Sequence, residues 1–517
     1  MPRLTISRAI SWLADRHPET VAVRDDHIAL TWRELDRRTN RLGRAYAELG
    51  VGVDDLVTVA LPNSVEFVES CVAIWKLGAT PAPLSPRLPS AELAAVFALA
   101  APTLVVGFRP ADVPATAAVD PAAATRPTPA PPHHLPAGFV PRPALPDGAL
   151  PDAAAASWKA PTSSGSTGRP KLILASASAH IDPEGRVAPF IPPRAVQLVS
   201  GPLYHSAPFT YAMRGLMTGH TLVILPRFDE RRVLAAIADH RVTWAPLVPT
   251  VMSRIWRLPA DTRAAADLSS LESILHIGSP CAPWLKRAFI GWLGPDRVTE
   301  VYAGAESQGL TVISGREWLE HPGSVGRPAG GSEMQVWGAD DRPLPAGETG
   351  RIMMRRSHGA TYRYRGGPPP RPDGWDTLGD LGHLDADGYL YLADRADDLI
   401  VTGGVNVYPA EVEGVLEQHP GIRSAVVFGL PDDDLGEVVA ALVDVGGGGG
   451  APNEQELLAW LRSRLDPEKR PRRIELSTEP VRDDAGKVRR HRLRARFGAR
   501  TAAPDHQPGG DAADAGA

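Results

Sequence analysis

Near the start of the chain the hydrophobic positions fall into short segments with two different periods. In TWRELDRRTNRLGRAYAELG, Leu35, Leu42, Ala45 and Leu49 recur at helical spacing with polar residues between them. DLVTVALP, from Asp55 to Pro62, is short, apolar and β-branched, which predicts a buried strand. SVEFVESCVAIWKLGA follows as a second amphipathic helix, with Gly78 as its stop signal. Strands alternating with helices of this length predict an α/β domain on a largely parallel sheet.

From Arg109 to Ala156 the pattern gives way to Pro and Ala, with TRPTPAPPHHLPAG at its centre. This stretch, 109–156, reads as a surface connection, partly extended. His133 and His134 lie inside it, with no further ligands at a spacing that suits a metal. The next change comes near Asp394. DADGYLYLADR before it predicts a hairpin, and a smaller α/β pattern after it runs to Phe497. VDVGGGGGAPNE, Val443–Glu454, reads as a flexible internal loop, and TAAPDHQPGGDAADAGA has the composition of a disordered tail. The expected organisation is a large domain over 1–393, a small one over 394–497 and a tail over 498–517.

Composition narrows the class. The 517 residues are 43% hydrophobic and 22% charged, with a net charge of -5. That balance argues against a dedicated nucleic-acid binder, although Arg462–Arg500 is strongly basic; its run around Arg489, Arg490 and Arg492 reads as a solvated face, or a partial site for cofactor phosphates, rather than a nucleic-acid patch. The apolar stretch Ala94–Phe108 is too short to span a bilayer and is broken by Pro102. The N-terminus shows no apolar core of a secretory signal. Cys71 and Cys281 are far apart and imply no disulfide framework; they read as two buried thiols in a reducing, cytoplasmic compartment. Richness in Ala, Arg, Gly and Pro fits a high-GC bacterial gene of secondary metabolism.

The chemistry begins at APTSSGSTGRPKLIL, Ala160 to Leu174. Gly165 and Gly168 let the backbone turn tightly and expose amide donors. Ser163, Ser164, Ser166 and Thr167 add hydroxyls, and Lys171 adds a positive charge. Such a loop suits a polyphosphate, and equally a polar hairpin turn. It is not a Walker A loop, because the lysine follows proline and no GK[ST] is present.

The string SSGSTGRPK resembles the phosphate-loop signature of the adenylate-forming superfamily, which contains acyl-CoA synthetases, firefly luciferase and the adenylation domains of peptide synthetases. The resemblance recurs in order along the chain. PLYHSAPF (Pro202–Phe209) resembles the acyl-pocket segment. HIGSPCAP (His276–Pro283) and EVYAGAE (Glu300–Glu306) resemble the adenine-binding stretches. GWDTLGDLGHLDADGYLYLADRADDLIVTGGVNVYPAEVE resembles the ribose motif, hinge and CoA-side loop, and DDAGKVRRHRLR the segment with the catalytic lysine. The fold implied is α/β: a large N-terminal domain of stacked mixed sheets with helices, plus a small mobile α+β C-terminal domain.

The resemblance also implies roles. A carboxylate attacks the α-phosphorus of ATP, giving an acyl-AMP, and the thiol of coenzyme A (CoA) then takes the acyl group. Ser163–Lys171 would hold the β- and γ-phosphates, and Glu306 would bind Mg²⁺. Tyr302 and Ala303 would face adenine opposite Gly278, Ser279 and Pro280. Asp380 would accept from the ribose hydroxyls, with Arg395 on the ribose and phosphate side. Lys487 would be the catalytic lysine and Asp394 the hinge. Gly403, Gly404 and Val405 would line the CoA tunnel. His205 would line the carboxylate site, which places the chain with acyl- and aryl-CoA ligases rather than amino-acid-activating relatives. SGREWLEHPGSVGRP and LGDLG look most like ligases of bulky acids, such as bile-acid or steroid-type CoA ligases.

Two positions depart from the pattern. Ala305 stands where the family usually has threonine, and the family's Thr-Gly-Asp reads Leu378-Gly379-Asp380. Both losses fall on the adenylating half of the cycle. The alternatives are therefore an enzyme that mainly thioesterifies an acyl-adenylate supplied by an upstream enzyme, and a ligase that loads the phosphopantetheine of a carrier protein.

Overall fold

The computed structural model describes residues 3–108, 132–164, 170–357, 359–446, 451–483, 486–488 and 490–501. The chain divides into two compact units. The larger comprises Met1–Leu392 and Asp484–Gly486; the smaller comprises Ala393–Asp483 and Lys487–Ala517.

The larger unit is α/β. Its first helix pattern forms Trp32–Glu48, started by a capping box in which Thr31 and Glu34 satisfy each other's backbone donors. Leu35, Leu42 and Ala45 are buried, and Leu49 is the C-cap, just outside the helix. The predicted strand is Leu56–Val59, buried throughout. It lies in a parallel sheet with Thr80–Pro83, Leu104–Gly107 and His133–Pro136.

Two expectations change here. Helix Val65–Lys76 is not amphipathic; it is buried almost all round. Two of its charged residues are met by helix Trp32–Glu48: Glu69 by Arg38 at 2.6 Å, and Lys76 by Asp36 at 2.7 Å and Asn40 at 2.5 Å. The stretch 109–156 is more than a surface connection. Residues 109–131 lie outside the described residues, but His133–Pro136 is an edge strand. Beyond it, Asn40, Arg41 and Arg44 donate to the carbonyls of Leu145, Pro146, Asp147, Gly148 and Ala149, which pins the chain to the helix.

Among the described residues a 13-stranded sheet runs through the larger unit. One part is parallel, in the spatial order Val298–Ala303, Ser273–Ile277, Trp244–Leu247, Val196–Val199, Thr221–Ile224 and Val21–Arg24. From Leu310–Ser314 onward the neighbours are antiparallel. The sheet is therefore mixed. The DADGYLYLADR hairpin is formed by Asp380–Leu384 and Leu390–Arg395. No helix among the described residues is long and apolar enough to cross a membrane. Cys71 is buried, but Cys281 is only part-buried, against the expectation of two buried thiols.

The smaller unit has its own sheet, in the order Val405–Val407, Ile400–Thr402, Gly436–Asp444 and Ser424–Asp432, with Arg473–Ser477 parallel to Gly436–Asp444. Helices Pro409–Leu416 and Glu454–Arg462 cover one hydrophobic cluster and Arg490–Thr501 another, where Phe428 and Phe497 meet edge-to-face. The last helix runs to Thr501, past the expected tail start at 498. Arg490 is not part of a solvated basic face; it is ion-paired inward to Asp398 and Glu413, both at 2.7 Å. Residues 447–450 of the glycine-rich loop and 502–517 lie outside the described residues.

Candidate active site

In open α/β sheets, ligands bind beyond the carboxyl ends of parallel strands, where loops replace the ladder. Gly278, Ser279, Pro280, Tyr302, Ala303 and His205 lie there. Gly278, Ser279 and Pro280 follow strand Ser273–Ile277, and Tyr302 and Ala303 end its parallel neighbour. Gly278 has φ 97°, a left-handed turn that favours glycine. His205 follows the loop after Val196–Val199 and is the N-cap of helix Ser206–Met217.

The Tyr302 hydroxyl donates to Asp380 Oδ2 at 2.7 Å, joining the end of one strand to the start of another. Leu378 and Tyr302 pack in one hydrophobic cluster with Met354 and Leu390. Leu378 also lies against Gly304: a Cβ there would collide with Leu378 Cδ2 and stand 3.0 Å from Glu306 Oε2. The loop that carries Ala305 and Glu306 is thus shaped around the leucine that replaces threonine.

Glu306 Oε1 accepts from the Tyr364 hydroxyl at 2.8 Å, and its backbone carbonyl accepts from Thr361 Oγ1 at 2.8 Å. Burial and the adjacent Glu306 carboxylate push the Tyr364 phenol well above its ordinary value. Lys171 Nζ lies 4.8 Å from the centre of the Tyr364 ring, in cation–π range. Tyr364 therefore ties the end of the glycine-rich loop to Glu306. Sequence reasoning missed it; the available signal was the alternation in YRYR, Tyr362–Arg365, whose strand pairs with Pro170–Ala175.

Of the glycine-rich loop, Gly165, Ser166, Thr167, Gly168 and Arg169 lie outside the described residues. Its flanks, Thr162–Ser164 and Pro170–Ala175, form an antiparallel hairpin with Ser163 opposite Lys171 and Ser164 opposite Pro170.

A second residue that sequence reasoning passed over is Lys159, the lone charge in SWKAPT. It is 3% exposed. Its Nζ donates to Thr210 Oγ1 at 2.7 Å and lies 3.4 Å from Ser206 Oγ, on the helix that His205 caps. Burial, reinforced by the charge of Arg214 and opposed by Glu306, pushes the Lys159 ammonium down to about 7.

Residues 10–363 match the AMP-binding enzyme family, and residues 411–487 match the AMP-binding enzyme C-terminal domain. The chain belongs to the AMP-binding enzyme family. A feruloyl-CoA synthase of Amycolatopsis is 33% identical over 501 residues, covering 93% of this chain and 96% of that one. A long-chain-fatty-acid–CoA ligase of Mycobacterium tuberculosis is 28% identical over 492 residues, covering 91% and 94%. Among solved structures, the amide bond synthetase McbA of Marinactinospora thermotolerans superposes with TM-score 0.76 at 26% identity, covering 95% of this chain and 100% of that one. The chain is an enzyme of the AMP-forming acid–thiol ligase class.

The other candidates belong to the smaller unit. Asp394 Oδ2 accepts from the Ala410 amide at 2.8 Å, at the start of helix Pro409–Leu416, and Oδ1 accepts from the Arg395 amide at 2.7 Å. Burial raises the Asp394 carboxyl above its ordinary value. Gly403 and Gly404, φ 55° and 82°, form the two-residue turn between paired Thr402 and Val405. A hairpin turn with two positive φ values needs glycine-like residues at both places. Val405 is exposed. Lys487 is exposed and closes a short loop with Asp483: its amide donates to Asp483 Oδ1 at 2.8 Å, and its carbonyl accepts from the Asp483 amide at 3.0 Å.

Proposed function

We propose that this enzyme joins a bulky, hydrophobic carboxylic acid to CoA through an acyl-AMP made from ATP. The observation that carries the reading is that the segment ending parallel strand Val298–Ala303 carries both the Tyr302–Asp380 pair and Glu306, which Tyr364 joins to Lys171. Tyr302 offers a ring face to adenine, and Asp380 offers carboxylate oxygens to ribose hydroxyls. Gly278, Ser279, Pro280 and Ala303 complete the adenine side.

Adenylation brings a carboxylate to a polyphosphate, so charge neutralisation is the main task. Ser163, Ser164, Gly165, Ser166, Thr167, Gly168 and Lys171 serve the β- and γ-phosphates in this reading. Among the described residues no group of three or more His, Cys, Asp or Glu could hold a metal alone. Mg²⁺ with a nucleotide uses only one or two protein carboxylates, and Glu306 fits that requirement. The ion would supply charge screening on the phosphate oxygens. His205, the N-cap of helix Ser206–Met217, lines the acid site in this reading. Lys487 and Arg395 act on the carboxylate and nucleotide, Asp394 is the hinge residue, and Gly403, Gly404 and Val405 serve the CoA arm.

The full chain with ATP, Mg²⁺, CoA and a panel of aliphatic, aryl and terpenoid acids is expected to release AMP and form a thioester. No AMP from any acid sinks the two-step reading. Ala305 and Leu378 favour a second reading, in which the enzyme mainly thioesterifies a supplied acyl-adenylate. Synthetic acyl-AMP with CoA would then react while free acid with ATP would not. Offering a carrier-protein phosphopantetheine beside CoA separates the two acceptors.

A further inference from the structure

Lys159 and Arg214 form a cationic pair for which the described part of the protein provides no anion within ion-pair distance. Lys159 is buried, and its Nζ bonds to the neutral hydroxyls of Thr210 and Ser206. Arg214 lies one turn beyond Thr210 on the same helix and is part-buried. The two share one aromatic ring: Lys159 Nζ is 5.2 Å and Arg214 Cζ 5.3 Å from the centre of Trp158. Arg356, donating to the Ser307 and Gly330 carbonyls, and Arg3 add further positive charge that acts on Arg214. Glu306 is the carboxylate whose charge reaches Lys159, and it is bonded to Tyr364.

Other buried cations of this protein are arranged differently. Lys76 touches Asp36, Lys286 touches Glu300, and Arg490 touches Asp398 and Glu413. Each has a carboxylate, as burial of a charge requires. Lys159 also sits at the first turn of helix Ser206–Met217, where the backbone dipole disfavours a cation and favours an anion. Burial, with Arg214 beside it, pushes its ammonium down to about 7.

We infer that Lys159 and Arg214 are a recognition subsite for a second carboxylate on the acid substrate, distinct from the carboxylate that is activated. This rests on the acid-ligase reading above, which places the substrate at His205 and the start of helix Ser206–Met217, the helix that carries Thr210 and Arg214. The activated carboxylate is a poor match for the pair. It loses its charge on forming the acyl-AMP, and a buried cation pair around it would stabilise the ground state against its own reaction. A second carboxylate keeps its charge through both half-reactions, so its contacts persist through them. The substrate class is then a hydrophobic acid with two carboxylates, one adenylated and one held between Lys159 and Arg214.

The test uses the full-length protein and matched acids, from succinate to dodecanedioate together with aryl diacids, each beside the monoacid that carries methyl in place of the distal carboxylate. Binding is read by calorimetry, and pyrophosphate exchange and KM for ATP are read in parallel. At the fitting length the diacid is expected to bind about 10- to 100-fold tighter than its monoacid, the range for a charge-assisted contact. Lys159→Met, and independently Arg214→Met, should bring that ratio toward one. Monoacids that bind as well as diacids at every length overturn the subsite. So does a Lys159→Met protein that weakens both members of each pair equally, or acts by raising KM for ATP. Because binding is read without turnover, absence of AMP from every acid overturns the ligase reading separately.

Discussion

The Tyr364 hydroxyl donates to Glu306 Oε1 at 2.8 Å, while the Tyr364 ring lies under Lys171 Nζ. One side chain thereby fixes the rotamer of the proposed magnesium carboxylate and the position of the loop lysine. Removing the hydroxyl leaves the ring and its packing but frees the carboxylate. A hydrogen bond to a charged group contributes about 1.5–3 kcal/mol. Tyr364→Phe is expected to lower pyrophosphate exchange at least about 10-fold, with the Mg²⁺ dependence moved to higher concentration and the melting temperature little changed. An unchanged Mg²⁺ titration would remove Tyr364 from the site.

That residue shows where sequence reading stops. Helix Trp32–Glu48 was legible because periodicity and a Thr–Glu capping box agree within one segment. The family was legible through ordered motifs. The burial of Val65–Lys76 was not, because Glu69 and Lys76 look solvent-facing until Arg38 and Asp36 are brought against them. Tyr364 and Lys159 were missed for the same reason. Tyr364 meets Lys171 only through pairing of strands distant in the chain, and Lys159 is charged in an apolar run whose surroundings come from helix Ser206–Met217.

Tyr302 has two separable parts. Its ring is the proposed adenine platform, and its hydroxyl holds Asp380 Oδ2 at 2.7 Å. Tyr302→Phe keeps the ring and releases Asp380, so KM for ATP is expected to rise about 10-fold, the loss of one charge-assisted bond. Tyr302→Ala removes both parts and should cost more. The two variants are compared by steady-state kinetics at saturating acid. Equal effects of Phe and Ala would show that the hydroxyl contact, not the ring, carries the binding.

Gly304 and Leu378 are coupled sterically. An added Cβ at Gly304 meets Leu378 Cδ2 and approaches Glu306 Oε2 to 3.0 Å. Gly304→Ala is therefore expected to destabilise the larger unit by about 1–3 kcal/mol, the usual cost of overpacking, and to depress adenylation by displacing Glu306. Leu378→Thr, which shortens the opposing side chain and restores a hydroxyl, should recover part of that loss in the double variant. A double-mutant cycle on melting and exchange rates measures the coupling. Strict additivity would mean that the two side chains do not constrain each other.

Lys159 makes stability depend on pH in a direction that can be worked out. Its ordinary value is 10.5 and burial lowers it to about 7, so between those values the unfolded chain binds more protons than the folded one. Stability then rises with pH across that window and falls as pH drops toward 7. Below about 7 the ammonium is charged in both states and the full cost of burying it, with Arg214 beside it, is present. Lys159→Met removes the charge and keeps the length. The variant is therefore expected to melt above the parent protein at pH 7 and below, with the gap shrinking as pH rises toward 10. Urea unfolding followed at several pH values in the absence of substrate checks this. A gap that is constant with pH would mean that Lys159 is not buried as a cation without a carboxylate partner.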